Sequence, residues 1–277
     1  MSWRPASGGR VVAPARPWVI LQHVPHEGPG LIGEVLSDAG HEVAVVRVDR
    51  GDALPDHRAM GGLVVMGGPM GVHDGDVHPW LAAERSLLST AVDEGLPVLG
   101  VCLGAQQLAV ALGGQVTTGP APEIGFGEVE LTAAGRLDPV LGPEYGGLAG
   151  TTVPCVHWHH DTFTLPVGAT HLAATRAFPH QAFRVGDLVY ALQFHVEVDR
   201  ALAGAWAPHL PDGVVLDGPD LARVESVGRR LVRRFVDRAA ASDRSVDRAA
   251  GIDRSVDRTA GLGVGDSTGG GAGDGSR

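Results

Sequence analysis

The chain carries 277 residues, 44% of them apolar, with a formal net charge of −10, a length that suits one large α/β domain or two small ones. The acidic balance argues against a nucleic-acid partner. No apolar run is long enough for a membrane, and two cysteines are too few for a disulfide framework, so a reducing, cytoplasmic setting is expected. The sequence holds neither Lys nor Asn, which removes Schiff-base chemistry, a Walker A phosphate grip, a Ser-Lys dyad and a Cys-His-Asn triad.

Residues 1–16, rich in Pro, Gly and Arg, read as a flexible N-terminal segment without a targeting core. Trp18–Val24 is a β-branched apolar run, and a helical stretch follows near Leu31–Ala39. His41–Val48 and Gly62–Met66 read as the second and third strands. In Trp80–Glu94, Leu81, Leu87, Leu88 and Val92 fall near helical spacing, and Gly95-Leu-Pro97 stops the helix. Val98–Val101 is the fourth strand and Leu103–Leu112 the next helix. Strands apolar on both faces and alternating with helices predict a doubly wound, mostly parallel α/β sheet of the flavodoxin-like kind.

Past Gly113-Gly114 the character changes. Gly127–Leu131, Thr151–Trp158 and His171–Thr175 predict an antiparallel extension of the sheet, and Leu188–Phe194 a compact apolar strand. Helices are expected over Arg200–Ala207 and Asp220–Ala240, the latter striped by Leu221, Val224, Gly228, Leu231 and Phe235. A ten-residue repeat with a Val-Asp-Arg core begins at Phe235, Ser245 and Ser255, too poor in large apolar residues to build a core. The reading is a single domain over 17–241 and a low-complexity, disordered tail over 242–277, with extension of the last helix by the repeats as the alternative.

Chemistry concentrates at Gly100-Val-Cys-Leu-Gly104, where an apolar strand breaks into a helix. This is the pattern of a nucleophile elbow: the turn holds Cys102 in strained backbone at a helix N-terminus, and the flanking glycines let neighbouring chain pass close. A thiolate nucleophile needs a base, and the base an orienter. His195 and Glu197, two residues apart at a strand end, put an imidazole and a carboxylate on one face. Gly67-Gly-Pro69 follows the third strand. If strands three and four are neighbours, the N–H groups of Gly68 and Leu103 converge beside Cys102 as an oxyanion hole.

Together and in this order, Gly67-Gly-Pro69, Gly100-Val-Cys-Leu-Gly-Ala-Gln106 and Gln193-Phe-His-Val-Glu197 resemble the class I (triad-type) glutamine amidotransferases. The resemblance covers about residues 17–207. Glu123-Ile-Gly-Phe126 and His157-Trp-His-His-Asp161 are similar to segments of free-standing relatives of the GMP synthase amidotransferase domain. The resemblance implies Cys102 as nucleophile, His195 as general base and acid, Glu197 as orienter, and Gly68 and Leu103 as oxyanion donors. It also implies a contact from Gln106 to the substrate's glutamine moiety, and places His160 and Asp161 in a loop receiving the substrate's α-amino and carboxylate end. The expected reaction is hydrolysis of a γ-glutamyl amide, without cofactor, with glutamine or a small γ-glutamyl compound as substrate and a separate synthase subunit as a possible acceptor of ammonia. A stand-alone γ-glutamyl peptidase and a catalytically silent binding subunit are the alternatives. The family usually has Gly at position 160 and Pro at 196, and its larger members carry an ATP-using domain that is absent from this sequence. His157, His159 and Asp161 also allow a zinc reading if the segment is extended; no further cluster completes such a site, and no metal is expected.

Overall fold

The central apolar runs pair into one sheet because they are too hydrophobic to face water on either side. The computed structural model describes residues 16–142 and 151–249. In chain order its main elements are β1 (Trp18–Gln22), α1 (Gly30–Asp38), β2 (Val43–Arg47), β3 (Gly62–Val65), α2 (Trp80–Asp93), β4 (Val98–Val101), α3 (Leu103–Ala111) and β5 (Val116–Leu131). They continue with α4 (Ala133–Leu137), β6 (Thr152–Phe163), β7 (Thr170–Ala174), β8 (Ala182–Val185), β9 (Val189–Leu192), α5 (Arg200–Trp206) and α6 (Gly218–Ala249). The nine described strands lie in the order β2-β1-β3-β4-β9-β8-β7-β5-β6. Pairing is parallel from β2 to β9 and antiparallel from β9 to β6, the expected doubly wound sheet with an antiparallel extension. The described residues 16–142 and 151–240 fall in one compact unit.

Alternate residues of the parallel strands feed two cores. Ile20, Val64 and Leu99 pack with Val35 of α1 and Leu231 and Phe235 of α6. Leu21, Leu63, Val65 and Val98 turn to the other face, with Leu88 of α2 and Leu108 of α3. Each fully buried Leu, Val or Phe contributes roughly 1.5–3 kcal/mol, so β3 and β4, buried at every position, are held firmly. Loops that carry chemistry leave the C-terminal ends of such strands.

Three expectations require correction. The antiparallel strands are longer than their apolar cores: β5 starts at Val116, not Gly127, and β6 ends at Phe163, not Trp158. The two form a ribbon whose register shifts between Thr118 and Glu123, and ladder hydrogen bonds carry polar residues into it that pattern alone assigns to loops. His160 and Asp161 therefore sit on β6 rather than in a loop. Second, β8, a short strand, was not expected at all. Third, α6 runs to Ala249 instead of ending near Ala240, the alternative in which the repeats extend the last helix, and their Ala and Arg residues favour it. The remainder of the expected tail, 250–277, and the N-terminal segment to residue 15 lie outside the described residues. No described helix is long and apolar enough to cross a membrane.

Candidate active site

The elbow is built by crowding. Cys102 has φ 51° and ψ −108° and is the only non-glycine residue with positive φ among the described residues; a conformation of this kind costs of order 1–3 kcal/mol. It is fixed from both sides, by Cys102 N–H donating to Leu192 O at 2.8 Å and Gln106 N–H donating to Cys102 O at 3.0 Å. Gly104 makes the turn possible: a Cβ there would collide with the Val65 carbonyl, and its N–H donates to Met66 O at 3.1 Å. The turn thus brings the loop after β3 against the first turn of α3, as the neighbouring positions of β3 and β4 require.

In that loop a Cβ on Gly67 would stand 3.1 Å from His195 Cε1 and 3.4 Å from Cys102 Cβ, so any side chain there would wedge between thiol and imidazole. Next to it, Gly68 packs against Leu103, whose Cδ2 would lie 3.1 Å from a Cβ at Gly68. No acceptor among the described residues takes the N–H of either Gly68 or Leu103, which leaves both free to serve an oxyanion. The orientation of the Gly67–Gly68 peptide is enforced by a buried pair that sequence reasoning missed. His23 Nδ1–H donates to Gly67 O at 2.8 Å, while Nε2–H meets Glu84 Oε2 at 2.8 Å. In a trans peptide the carbonyl and the N–H point opposite ways, so pulling Gly67 O toward His23 turns the Gly68 N–H away from it. Burial opposes charging of His23, but Glu84 and the Gly67 carbonyl raise its pKa above the ordinary histidine value, so both ring nitrogens act as donors.

His23→Gln or Glu84→Gln is accordingly expected to lower kcat about 10- to 100-fold, less than outright loss of an oxyanion donor (roughly 10²–10³), with KM little changed. Steady-state kinetics on protein shown to be folded by circular dichroism checks this. An unchanged kcat would show that the His23–Glu84 pair does not position the loop. The only advance signal for the pair is a polar residue directly after the apolar run of β1.

His195 follows the end of β9 and is clamped by paired backbone bonds with β6: Val156 N–H to His195 O at 3.0 Å and His195 N–H to Val156 O at 2.8 Å. Glu197 O accepts from Leu31 N–H at 2.9 Å, at the start of α1. Val196 between them is fully buried, so two backbone anchors supply the rigidity that a proline would have lent. The side chains meet as the period-two spacing predicts: His195 Nδ1–H donates to Glu197 Oε1 at 2.7 Å, both groups being buried. Burial works against a charge on His195, yet Glu197, aided by the Cys102 thiol, holds its pKa well above the ordinary histidine range. His195 Nε2 makes no well-aligned hydrogen bond, and the Cys102 thiol donates to Trp158 O at 3.7 Å; catalytic hydrogen bonds often tighten only with substrate in place. Trp206 packs edge-on to His195 at 4.8 Å between ring centroids and screens it from water. Glu27, also unforeseen, is buried nearby, and burial raises its pKa above the usual carboxylate range, with Glu197 adding to the shift and His195 and His23 opposing it.

Cys102 opens onto a cavity of about 300 Å³ lined by Gly68–Gly71, Gln106, Pro122, Ile124 and Trp158–Asp161, at the small end of the range for small-molecule sites. Gln106, His160 and Asp161 all share this cavity with Cys102, and the Gln106 amide is held by Gln193 Oε1 at 3.2 Å. A larger cleft of about 510 Å³ between α1 and α6 is lined by Asp38, Ser226 and several arginines and holds neither cysteine nor histidine.

One wall of the active cavity adjoins a second polar cluster. Glu123 on β5 lies opposite His159 on β6, and Glu123 Oε2 is 3.2 Å from His159 Nε2 and 3.5 Å from His157 Nδ1. The sequence reading paired the histidines correctly but chose Asp161 as their carboxylate. In the structure it is Glu123, because only the ribbon register brings β5 across. Asp161 offers its backbone carbonyl instead, 3.1 Å from His159 Nδ1. Burial is the main cause that pushes His157 down to about 4 and His159 to about 3, and it pushes the Cys155 thiol up.

Comparison with known proteins places the chain in a family. The family described as "Glutamine amidotransferase class-I" matches residues 31–205. The glutamine amidotransferase-like protein YfeJ of Salmonella typhimurium is 34% identical over 179 residues, 63% of this chain and 73% of YfeJ. The glutamine-hydrolysing GMP synthase of Phenylobacterium zucineum is 33% identical over 177 residues, but this chain spans only 32% of its length. Among solved structures, a glutamine amidotransferase from Methylobacillus flagellatus superposes with a TM-score of 0.72 at 30% identity, covering 82% of this chain and 95% of that one. One from Thermotoga maritima, at 24% identity and a TM-score of 0.68, covers 82% and 99% and shares the fold.

Proposed function

Because this chain belongs to the class I glutamine amidotransferase family, we propose that it cleaves the γ-amide of glutamine or a related γ-glutamyl compound through a thioester on Cys102. The observation that carries the reading is the junction at Gly67, which stands against both Cys102 and His195 while Glu197 holds the far side of the imidazole at 2.7 Å. Cys102 gives its proton to His195 Nε2, forming a thiolate–imidazolium pair that the raised His195 pKa favours, and Sγ attacks the γ-carbonyl carbon. The carbonyl oxygen becomes an oxyanion received by the N–H groups of Gly68 and Leu103, and Gln106, His160 and Asp161 hold the rest of the substrate. The intermediate collapses, the C–N bond breaks, and the His195 proton leaves with ammonia or an amine. Water, deprotonated by His195, then attacks the thioester and releases the acid and the free thiol. The GMP synthase relatives support glutamine as the substrate and a separate protein as the acceptor of ammonia.

The test is a steady-state comparison of glutamine with γ-glutamyl dipeptides, alongside mass-spectrometric mapping of the adduct formed by a diazo-ketone glutamine analogue. Glutamine turnover with labelling confined to Cys102 supports the proposal. Preference for dipeptides moves the function to a γ-glutamyl peptidase, and an unlabelled Cys102 in folded protein overturns the enzymatic reading in favour of a silent binding scaffold.

A further inference from the structure

The geometry points to a divalent transition-metal site, best suited to zinc, formed by Glu123, His157 and His159 on the β5–β6 ribbon. One arrangement of the ring protons satisfies the hydrogen bonds around the cluster. The Asp161 carbonyl can only accept, so His159 carries its ring proton on Nδ1, 3.1 Å from that oxygen, and directs the Nε2 lone pair at Glu123 Oε2, 3.2 Å away. On the other ring, the Cys155 thiol donates to Gly127 O at 3.8 Å, so its sulfur receives the proton of His157 Nε2 at 3.4 Å. That leaves a lone pair on His157 Nδ1, which is buried without a hydrogen-bond partner and lies 3.5 Å from the same carboxylate oxygen.

Three lone pairs therefore face one another, with all three atoms inside 4.8 Å. One amide nitrogen, Gln181 Nε2, donates into the group, at 2.6 Å to Glu123 Oε2 and 3.4 Å to His159 Nε2; His157 Nδ1 has no donor, and a positive ion among the three atoms would relieve the repulsion that remains. Zinc bound at about 2.0–2.1 Å in tetrahedral geometry separates its ligand atoms by about 3.3–3.4 Å, and the separations from Glu123 Oε2 are 3.2 and 3.5 Å. Two imidazoles and one carboxylate suit zinc and its neighbours better than the oxygen-seeking magnesium or calcium. The supporting groups are in place as well. Each imidazole has an acceptor for its other N–H, and Glu123 is oriented by Thr175 Oγ1 at 2.7 Å and Gln181 Nε2 at 2.6 Å, the kind of outer contact that sets ligand direction. The ion would brace β5 against β6 next to Trp158, whose carbonyl receives the Cys102 thiol.

The experiment uses the full chain free of any polyhistidine tag. It is exposed to equimolar Zn²⁺ and desalted, and zinc is then measured by mass spectrometry, with competition against a chromophoric chelator; Co²⁺ loading supplies a visible spectrum. The expected result is about one zinc per chain, intense visible cobalt bands, and at least ~100-fold weaker binding in both Glu123→Gln and His159→Gln, with Cys102→Ser binding as the parent does. Since Glu123→Gln is isosteric, it keeps the test open should the histidine variant misfold. Less than about a tenth of a zinc per chain, or binding lost in Cys102→Ser but kept in Glu123→Gln, overturns the proposal. Either failure leaves the amide-cleaving reading untouched, because none of the three ligands takes part in that chemistry.

Discussion

Replacing Cys102 by Gly is expected to abolish turnover and, measured against Cys102→Ala, to raise stability. Cys102 sits at φ 51° and ψ −108°, a region open to glycine and strained for residues with a Cβ. Both variants remove the thiol and should lose at least ~10⁴-fold in kcat, since without Sγ no acyl-enzyme can form. They differ in strain. Alanine retains all of it, whereas glycine releases roughly 1–3 kcal/mol and gives back about 0.5–1 kcal/mol in backbone entropy. The net gain of about 1 kcal/mol corresponds to a melting temperature about 2–4 °C higher for a domain of this size. Calorimetry or denaturant titration of the two variants checks it. A glycine variant no more stable than the alanine one would show that the turn is unstrained, and residual turnover in either would remove Cys102 from its role.

The reason this residue was legible in the sequence is that every constraint on it is local. A four-residue apolar strand, glycines at 100 and 104 and an apolar helix behind them leave few other conformations for the turn. His195 and Glu197 were legible for a related reason, since a period of two at a strand end fixes a shared face whatever the rest of the chain does, and the 2.7 Å bond between them follows. The parts that stayed hidden depend on register. Nothing in the neighbourhood of Glu123 announces His159, because the pairing is set by a ribbon with an irregularity between Thr118 and Glu123, and a slip of one residue would send the carboxylate to the other face. His23, Glu27 and Glu84 share the same obscurity. Each is a polar residue buried by elements distant in sequence, and only their meeting, as in His23 with Gly67 and Glu84, gives them work. The placement of His160 failed because a run of polar side chains on an edge strand looks like a loop when hydrophobicity is the only guide.

Substituting Glu197 by Gln should cost about 10²–10⁴ in kcat, the upper end being what loss of a triad carboxylate brings elsewhere, while the position of His195 survives. The amide oxygen can still accept from Nδ1–H where the carboxylate does at 2.7 Å, and backbone bonds to Val156 hold the imidazole independently. What disappears is charge. Burial alone would depress the His195 pKa, and Glu197 is the largest influence that lifts it well above 6.5. In the variant it falls, so the imidazolium that must protonate the departing amine is lost at lower pH, and the alkaline limb of the kcat/KM profile should move down. Stability follows the same sign. A histidine whose folded pKa exceeds its unfolded value of 6.5 contributes fully below that pH and loses its contribution as pH rises through the folded value. Glu197→Gln should therefore be most destabilising relative to the parent below about pH 6.5, with the gap narrowing as the solution is made alkaline. Paired pH–rate and pH–melting series on the two proteins check both statements. An alkaline limb that stays in place while kcat falls would mean that Glu197 acts only by position, and the backbone clamps already on His195 make such a loss of rate hard to obtain by misplacement alone.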